Sequence, residues 1–351
     1  MPERTLTQRE LNRALLARQL LLERVKLPIP RALERIGGIQ DQYAPNAYIR
    51  LWSCLEEFER DALTRALERR TVVQATLMRE TIHVVSARDF WLFAAGIHRA
   101  HRAWWTRIHR PHSELVDLDA AGAALQRIFA GSTRSRDELV ELLRPYDPPG
   151  APRNLAWGGV DTELVRAPPS GTWERRRAHT FALAEEWLGP CTATEEEGLE
   201  HLVRRYLAGF GPATRNELAG WAGVPVGFFA ATLERMSLRR FRDESGSELL
   251  DLPRAPLPDP DTPAPVRFLP TFDAVLLVHA RRTQILPERY RPVIFNTKNP
   301  QSAATFLVDG AVAGTWRYDG GRIRIEPFER IPRAARRELD EEADRLAAFH
   351  A

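Results

Sequence analysis

Two kinds of hydrophobic spacing alternate along the chain, and the order in which they recur outlines an architecture. Apolar residues three and four apart mark one face of a helix, whereas strict alternation marks a strand with one covered side. Leu11, Leu15 and Leu22 carry helical spacing behind Thr7 and Glu10, a capping-box pair, so a first helix is expected to begin there and end before Pro28. Pro30 opens a short second helix, Arg31 to Ile36, closed by Gly37-Gly38. A third is expected from Glu59 to Arg69, followed by strand-like segments at Thr71 to Met78 and Thr81 to Val85, joined at Arg79-Glu80. Short helices followed by a two-stranded ribbon make the pattern of a winged helix-turn-helix.

The pattern then repeats. A long helix from Ala87 to Ile108 ends before Pro111 and leads to helices Ala120 to Phe129 and Ser135 to Leu143, the latter with Ser135 and Glu138 as a capping box. After the turn Pro148 to Pro152, the segments Leu155 to Gly159 and Thr162 to Arg166 read as a second ribbon. A third cycle has helices at Thr194 to Ala208, from Pro212–Thr214 onward, and at Val226 to Met236, with a tight turn at Gly223. Its ribbon is Leu238 to Asp243 with Glu248 to Leu252. Pro253 to Pro265 holds six prolines and reads as a stiff linker. Beyond it lie strands at Val266 to Leu269, Ala274 to Val278, Thr305 to Tyr318 and Arg322 to Ile325, with turns at Asp309-Gly310 and Asp319-Gly320-Gly321, then a helix from Pro332 to Phe349. The expected fold class is mainly α with β wings (α+β). Three tandem winged helix-turn-helix modules would occupy residues 1–115, 116–190 and 191–252, and a small C-terminal β-barrel with a terminal helix would occupy 266–351.

Composition narrows the function. A chain of 351 residues exceeds what one core usually organises, and 44% hydrophobic residues support folded modules. No apolar run approaches membrane-spanning length and the N-terminus lacks a signal-peptide layout, so a cytoplasmic protein without a membrane partner is expected. Cys54 and Cys191 stand far apart with no C-x-x-C partner, which argues against disulfides and cysteine zinc sites. The net charge is +3, and of the 50 cationic residues only Lys26 and Lys298 are lysines. Guanidinium groups grip phosphates bidentately, but a GC-rich coding sequence gives the same excess, so the arginines are compatible with nucleic acid without demanding it.

The densest basic and aromatic stretch is the second half of the long helix, with Arg99, Arg102, Arg107, Arg110, Trp104, Trp105 and four histidines from His98 to His112. Two readings stay open for it: a face laid against a phosphate backbone, or a solvated helix whose tryptophans pack inward. No carboxylate or cysteine completes the histidine pairs, so no metal site is expected. Arg175 and Arg176 form a cluster that is either a phosphate contact or a solvated edge.

The sequence also resembles a known family. Arg9-Glu-Leu-Asn-Arg-Ala-Leu-Leu-Ala-Arg-Gln, Gly37-Gly-Ile-Gln40-Asp-Gln42, Ala75-Thr-Leu-Met-Arg-Glu-Thr-Ile-His83, Phe268-Leu-Pro-Thr-Phe-Asp273 and Leu307-Val-Asp-Gly-Ala-Val-Ala-Gly-Thr-Trp316 are similar to the bacterial winged-helix family that includes the DNA glycosylases AlkZ and YcaQ. The resemblance runs along nearly the whole chain and implies a concave DNA-binding surface. It also implies excision of N-alkylated purines, with unhooking of interstrand crosslinks, through a motif of Gln, an apolar residue, and Gln or Asp. Gln40 and Gln42 match its functional positions and are the candidate catalytic pair, whereas Asp41 departs from the apolar middle. Residues two apart in extended chain share a side, so both amides would face one water with Asp41 turned away. The bland reading is a pair of loop amides bonded to backbone. His83 reads as a core histidine, and Arg79, at the ribbon tip, as a phosphate contact.

The resulting expectation is a monofunctional DNA glycosylase acting on double-stranded DNA as a monomer, nucleoid-associated when bound, with no cofactor and no metal. The competing readings are a non-enzymatic winged-helix regulator or architectural factor, and an interaction protein with no DNA role.

Overall fold

The computed structural model describes residues 3–152, 155–160, 162–177, 179–276, 282–296 and 301–351. β1 (Thr5–Leu6) leads into α1 (Gln8–Arg18), whose N-terminus carries the expected Thr7–Glu10 capping box. The helix ends nine residues or more before Pro28 because Leu20 takes φ +57° and the Leu21 N–H returns to the Leu16 carbonyl, a left-handed cap that turns the chain. α2 (Ile29–Ile36) closes on Gly37 at φ +82°. β2 (Ile39–Gln40) follows, then a helix that the sequence pattern did not announce, α3 (Pro45–Cys54), buried along its whole length. α4 (Arg60–Glu68), β3 (Val72–Thr76), β4 (Ile82–Ser86) and the 22-residue α5 (Ala87–Ile108) form as expected.

In the second cycle, α6 (Leu118–Phe129), β5 (Arg134–Ser135) and α7 (Arg136–Leu143) precede a departure. The segment expected to open a ribbon is instead a helix, α8 (Leu155–Gly159). The Asp147 carboxylate accepts the Ala156 N–H at 2.8 Å and so caps its first turn, and a Cβ at Gly159 would stand 2.4 Å from the Trp105 ring. The ribbon is made by β6 (Leu164–Arg166) and β7 (Thr180–Leu183), followed by α9 (Ala184–Leu188). β6 pairs not only with β7 but with β3, Gln74 against Arg166 and Ala75 against Val165. The first and second ribbons are therefore one six-stranded sheet, ordered β2-β4-β3-β6-β7-β5.

α10 (Glu195–Phe210) and α11 (Arg215–Ala222) both carry capping boxes, and Gly223 closes α11 at φ +73°. The single helix expected at Val226 to Met236 divides into a 3₁₀ turn, Val226–Phe229, and α12 (Ala230–Arg235). β8 (Arg239–Asp243) and β9 (Glu248–Asp251) form the expected ribbon, and β1 joins it in parallel.

The expected C-terminal barrel is an open sheet. β10 (Arg267–Leu269) is followed by α13 (Arg291–Ile294), the small pair β11 (Phe295–Asn296) and β12 (Gln301–Ser302), and then β13 (Thr305–Val308), β14 (Ala311–Asp319) and β15 (Arg322–Pro327). The order is β10-β13-β14-β15, and β15 does not return to pair with β10 among the described residues. The strand expected at Ala274 to Val278 is absent where it is described: Asp273 accepts the Val275 N–H and holds a turn, and the remainder lies outside the described residues. Instead of closing, the sheet is covered by α14 (Arg333–His350), whose Leu339, Ala343 and Leu346 pack with Phe268, Phe306 and Trp316. No helix among the described residues is long and apolar enough to cross a membrane.

The largest core draws on α1, α5, α10, α11, the six-stranded sheet and the C-terminal strands together. At its centre α5 crosses α10 at Gly96 and Gly198, where a Cβ on Gly198 would stand 2.3 Å from the Gly96 nitrogen. Gly198→Ala must push the helices apart and is expected to cost about 1–3 kcal/mol, as overpacked cores do. Gly227→Ala, which meets nothing within 4 Å, serves as the control and should leave stability unchanged. Urea unfolding midpoints of the two variants check this.

Candidate active site

Gly37 and Gly38 both take positive φ, +82° and +80°, and a Cβ at Gly38 would stand 2.9 Å from Val85 Cγ1. That pair of turns lays β2 against β4, with Ile39 opposite Val84 and Gln40 opposite His83, and the Asp41 N–H reaches the Ile82 carbonyl at 2.7 Å. Paired residues in an antiparallel sheet share a face. Gln40, His83, Ala75 and Val165 therefore lie on one side, and Ile39, Val84, Gln74 and Arg166 on the other.

Gln40 is buried, and its Oε1 accepts a hydrogen bond from Arg79 Nη2 at 2.6 Å. Arg79 also donates from Nη1 to the Trp221 carbonyl at the end of α11. Its guanidinium is thus turned inward from the ribbon tip, and burial lowers its pKa to about 10. The geometry comes from the β3–β4 turn, where Arg79 and Glu80 both take left-handed φ. His83 stands beside Gln40 as a core histidine: burial pushes its pKa down to about 3, and its neutral ring donates from Nδ1 to the Thr81 carbonyl at 3.0 Å.

Asp41 begins the far side of the segment. Its Oδ1 accepts the Ala47 N–H at 3.1 Å, capping the start of α3, and its Oδ2 accepts from Gln74 Nε2 at 2.5 Å. Arg166, held to Thr76 Oγ1 at 3.2 Å, faces it and favours the carboxylate, but burial outweighs these contacts and raises the Asp41 pKa to about 8. Asp41 is thereby held as a largely neutral acid at neutral pH. Gln42, by contrast, is exposed, and its Oε1 accepts the Ile82 N–H at 3.2 Å.

The arginines divide. Arg176 donates to the hydroxyl of exposed Tyr43 at 2.5 Å, while Arg175 is exposed next to it in sequence. Arg99 is engaged by Glu195 at 2.8 Å and lies over the Phe228 ring. Arg102 donates to the Gly159 carbonyl at 2.6 Å. Arg107 and Arg110 are exposed at the end of α5, and of the two tryptophans Trp105 is buried and Trp104 is not. Sequence reasoning missed Gln74, Arg166 and Tyr43. The signal for the first two was a polar residue at a covered position in each strand-like segment.

Residues 33–349 match the family model described as DNA glycosylase AlkZ-like. The chain belongs to that family. Its fold is similar to that of the Streptomyces sahachiroi DNA glycosylase AlkZ, with a TM-score of 0.79 at 19% identity over 99% of this chain and 97% of that one. No curated protein sequence matches it. In this AlkZ-like chain the sheet register accounts for the acidic middle residue of the Gln40–Gln42 segment, since Asp41 lies on the face opposite Gln40.

The raised pKa has a consequence for stability. An acid whose folded pKa lies above its unfolded value stabilises the fold fully below the unfolded pKa and loses that contribution as pH rises through the folded one. Wild-type stability should therefore fall between about pH 4 and about pH 8 by a component that Asp41→Asn removes. Denaturation at a series of pH values checks the change in slope.

Proposed function

We propose that the protein is a monofunctional DNA glycosylase that hydrolyses N-alkylated purines in double-stranded DNA, unhooking interstrand crosslinks among its substrates, with Gln40 and Gln42 as the residues that position water. The observation that carries this reading is the pairing of a fixed amide with an exposed one: Gln40 held by Arg79, and Gln42 open to solvent in the bend just past the strand. An N7-alkylated guanine already carries positive charge, so its glycosidic bond needs little acid help, and the enzyme has chiefly to place water and stabilise an oxocarbenium-like sugar. An amide carbonyl has two lone pairs, so Gln42 can accept from the Ile82 N–H and orient a water together. A bulky adduct also need not enter a tight base pocket.

The helices and ribbons are read as three tandem winged-helix modules that grip the duplex as a monomer, with Arg107, Arg110, Arg175 and Arg176 on phosphates and Arg79 acting on the glutamine. A non-enzymatic DNA-binding protein is the competing reading, supported by the exposed arginines alone. Purified protein is expected to release base from duplex DNA containing N7-methylguanine. Gln40→Ala with Gln42→Ala should slow release by about 10²-fold, the cost of misplaced reactants, without weakening DNA binding. Unchanged release in the double variant would return the protein to the binding class.

The arginine assignment is tested separately. Replacing Arg107 and Arg110 by Ala should reduce the slope of log affinity against log salt by about 0.9 for each lost phosphate contact. An unchanged slope in fluorescence-anisotropy titrations would move the DNA away from this end of α5.

A further inference from the structure

The strained β3–β4 turn has two outputs. Arg79 and Glu80 are consecutive non-glycine residues at φ +56° and +57°, a conformation that L-residues avoid and that concentrates at functional sites. Their side chains reach different targets. Arg79 goes to Gln40, and the Glu80 Oε1 lies 2.9 Å from Nδ1 of His101 on α5. When a carboxylate accepts a hydrogen bond from Nδ1–H, the neutral ring keeps its lone pair on Nε2. Nε2 of His101 is buried without a partner in the wall of a cleft of about 590 Å³. Ile82, whose N–H is bonded to Gln42, belongs to the same wall. Trp105 Nε1 and Arg166 Nε are also buried and unpartnered, and both residues line this cleft. Three such nitrogens in one place are uncommon, because buried polar atoms nearly always find partners.

The glutamines leave a chemical gap, and the cleft adjoins them on the Gln42 side through Ile82, its Arg166 wall belonging to the sheet face opposite Gln40. A neutral amide orients water but is too weak a base to take its proton. We propose that Glu80 and His101 form the general base of the base-excision reaction, with His101 as the catalytic residue and Glu80 as its positioning residue. The proposal rests on the glycosylase reading. Water oxygen bonds to C1′ of the sugar as the C1′–N9 bond breaks. The electron pair of that bond leaves with the purine and neutralises its positive charge. The water proton passes to His101 Nε2, and Glu80 holds the imidazolium that results. The substrate class is a cationic N-alkylpurine nucleotide. Other titratable groups line the same cleft: His98 and Arg102 on α5, Arg136 on α7, Glu163 and Arg166 around β6, and His179 before β7.

The test is single-turnover release of N7-methylguanine from duplex DNA, followed from about pH 5 to about pH 8.5 alongside DNA affinity. In the wild type, release should slow toward the acid end of this range. His101→Gln is expected to lose about 10²-fold at the upper end of the range, the size of a general-base contribution, and to flatten the profile at unchanged affinity. Glu80→Gln, which leaves the ring in place, should lower the rate by less. Three results would overturn the proposal: a His101→Gln profile with the wild-type shape, a loss confined to affinity, or an unchanged rate in Glu80→Gln. The last decides the matter even where His101→Gln does not fold. If the wild type itself releases no base, the glycosylase reading falls and this proposal falls with it, whereas release by the wild type with any of those three results removes this proposal alone.

Discussion

The close crossing of α5 and α10 is the constraint on which the remaining geometry depends. Gly96 and Gly198 bring two helix backbones nearer than any side chain would allow, and this is the most extensive helix pairing among the described residues. α10 also carries Tyr206 and Phe210, which pack with Trp221 of α11. The Trp221 carbonyl holds Arg79, and Arg79 holds Gln40. A separation introduced at the glycines would pass along this series to the amide. The same crossing fixes the height of His101 over the β3–β4 turn, since His101 lies little more than one turn along α5 from Gly96.

Buried ion pairs extend the arrangement to the ends of the chain. Arg18 of α1 forms a two-pronged contact with Asp251 of β9 at 2.6 and 2.9 Å, with both side chains fully buried. Arg50 of α3 reaches Asp273 at 2.9 Å with both side chains buried, and buried Arg13 reaches the exposed Asp309 carboxylate. Such pairs add little net stability relative to apolar packing, but losing one partner strands a charge, so they enforce which elements meet. They also revise the meaning of an arginine-rich composition. A good part of the guanidinium charge faces inward, joining α1 to a strand and α3 to a turn more than two hundred residues away.

What was legible in the sequence was local. The capping boxes at Thr7 and Ser135 lie within four residues of chain, and each starts a helix where expected. The alternation that turned Asp41 away from Gln40 is likewise a property of neighbouring residues, and the register bears it out. α3 escaped because its cap is supplied by Asp41, six residues before Ala47, outside the spacing of a capping box. The barrel was over-read because hairpin turns at Gly310 and Gly320 specify antiparallel neighbours but not whether a sheet closes. The pairing of β3 with β6 joins Gln74 to Arg166 across about ninety residues, and no pattern within either segment encodes it. Arg79 was legible as a ribbon-tip residue, while its inward turn depends on Trp221, far along the chain.

That β3–β6 pairing also has a mechanical side. Two ribbons on separate modules would swing independently, each adapting to whatever it touched. Here they are neighbouring strands of one sheet, stapled by main-chain hydrogen bonds, and a twist applied to one is felt at once by the other. The plate they build is continuous across its middle, where two residue pairs join β3 to β6. Any long, bendable polymer laid across both ribbons must take up the plate's curvature, so the cost of distortion falls on the polymer.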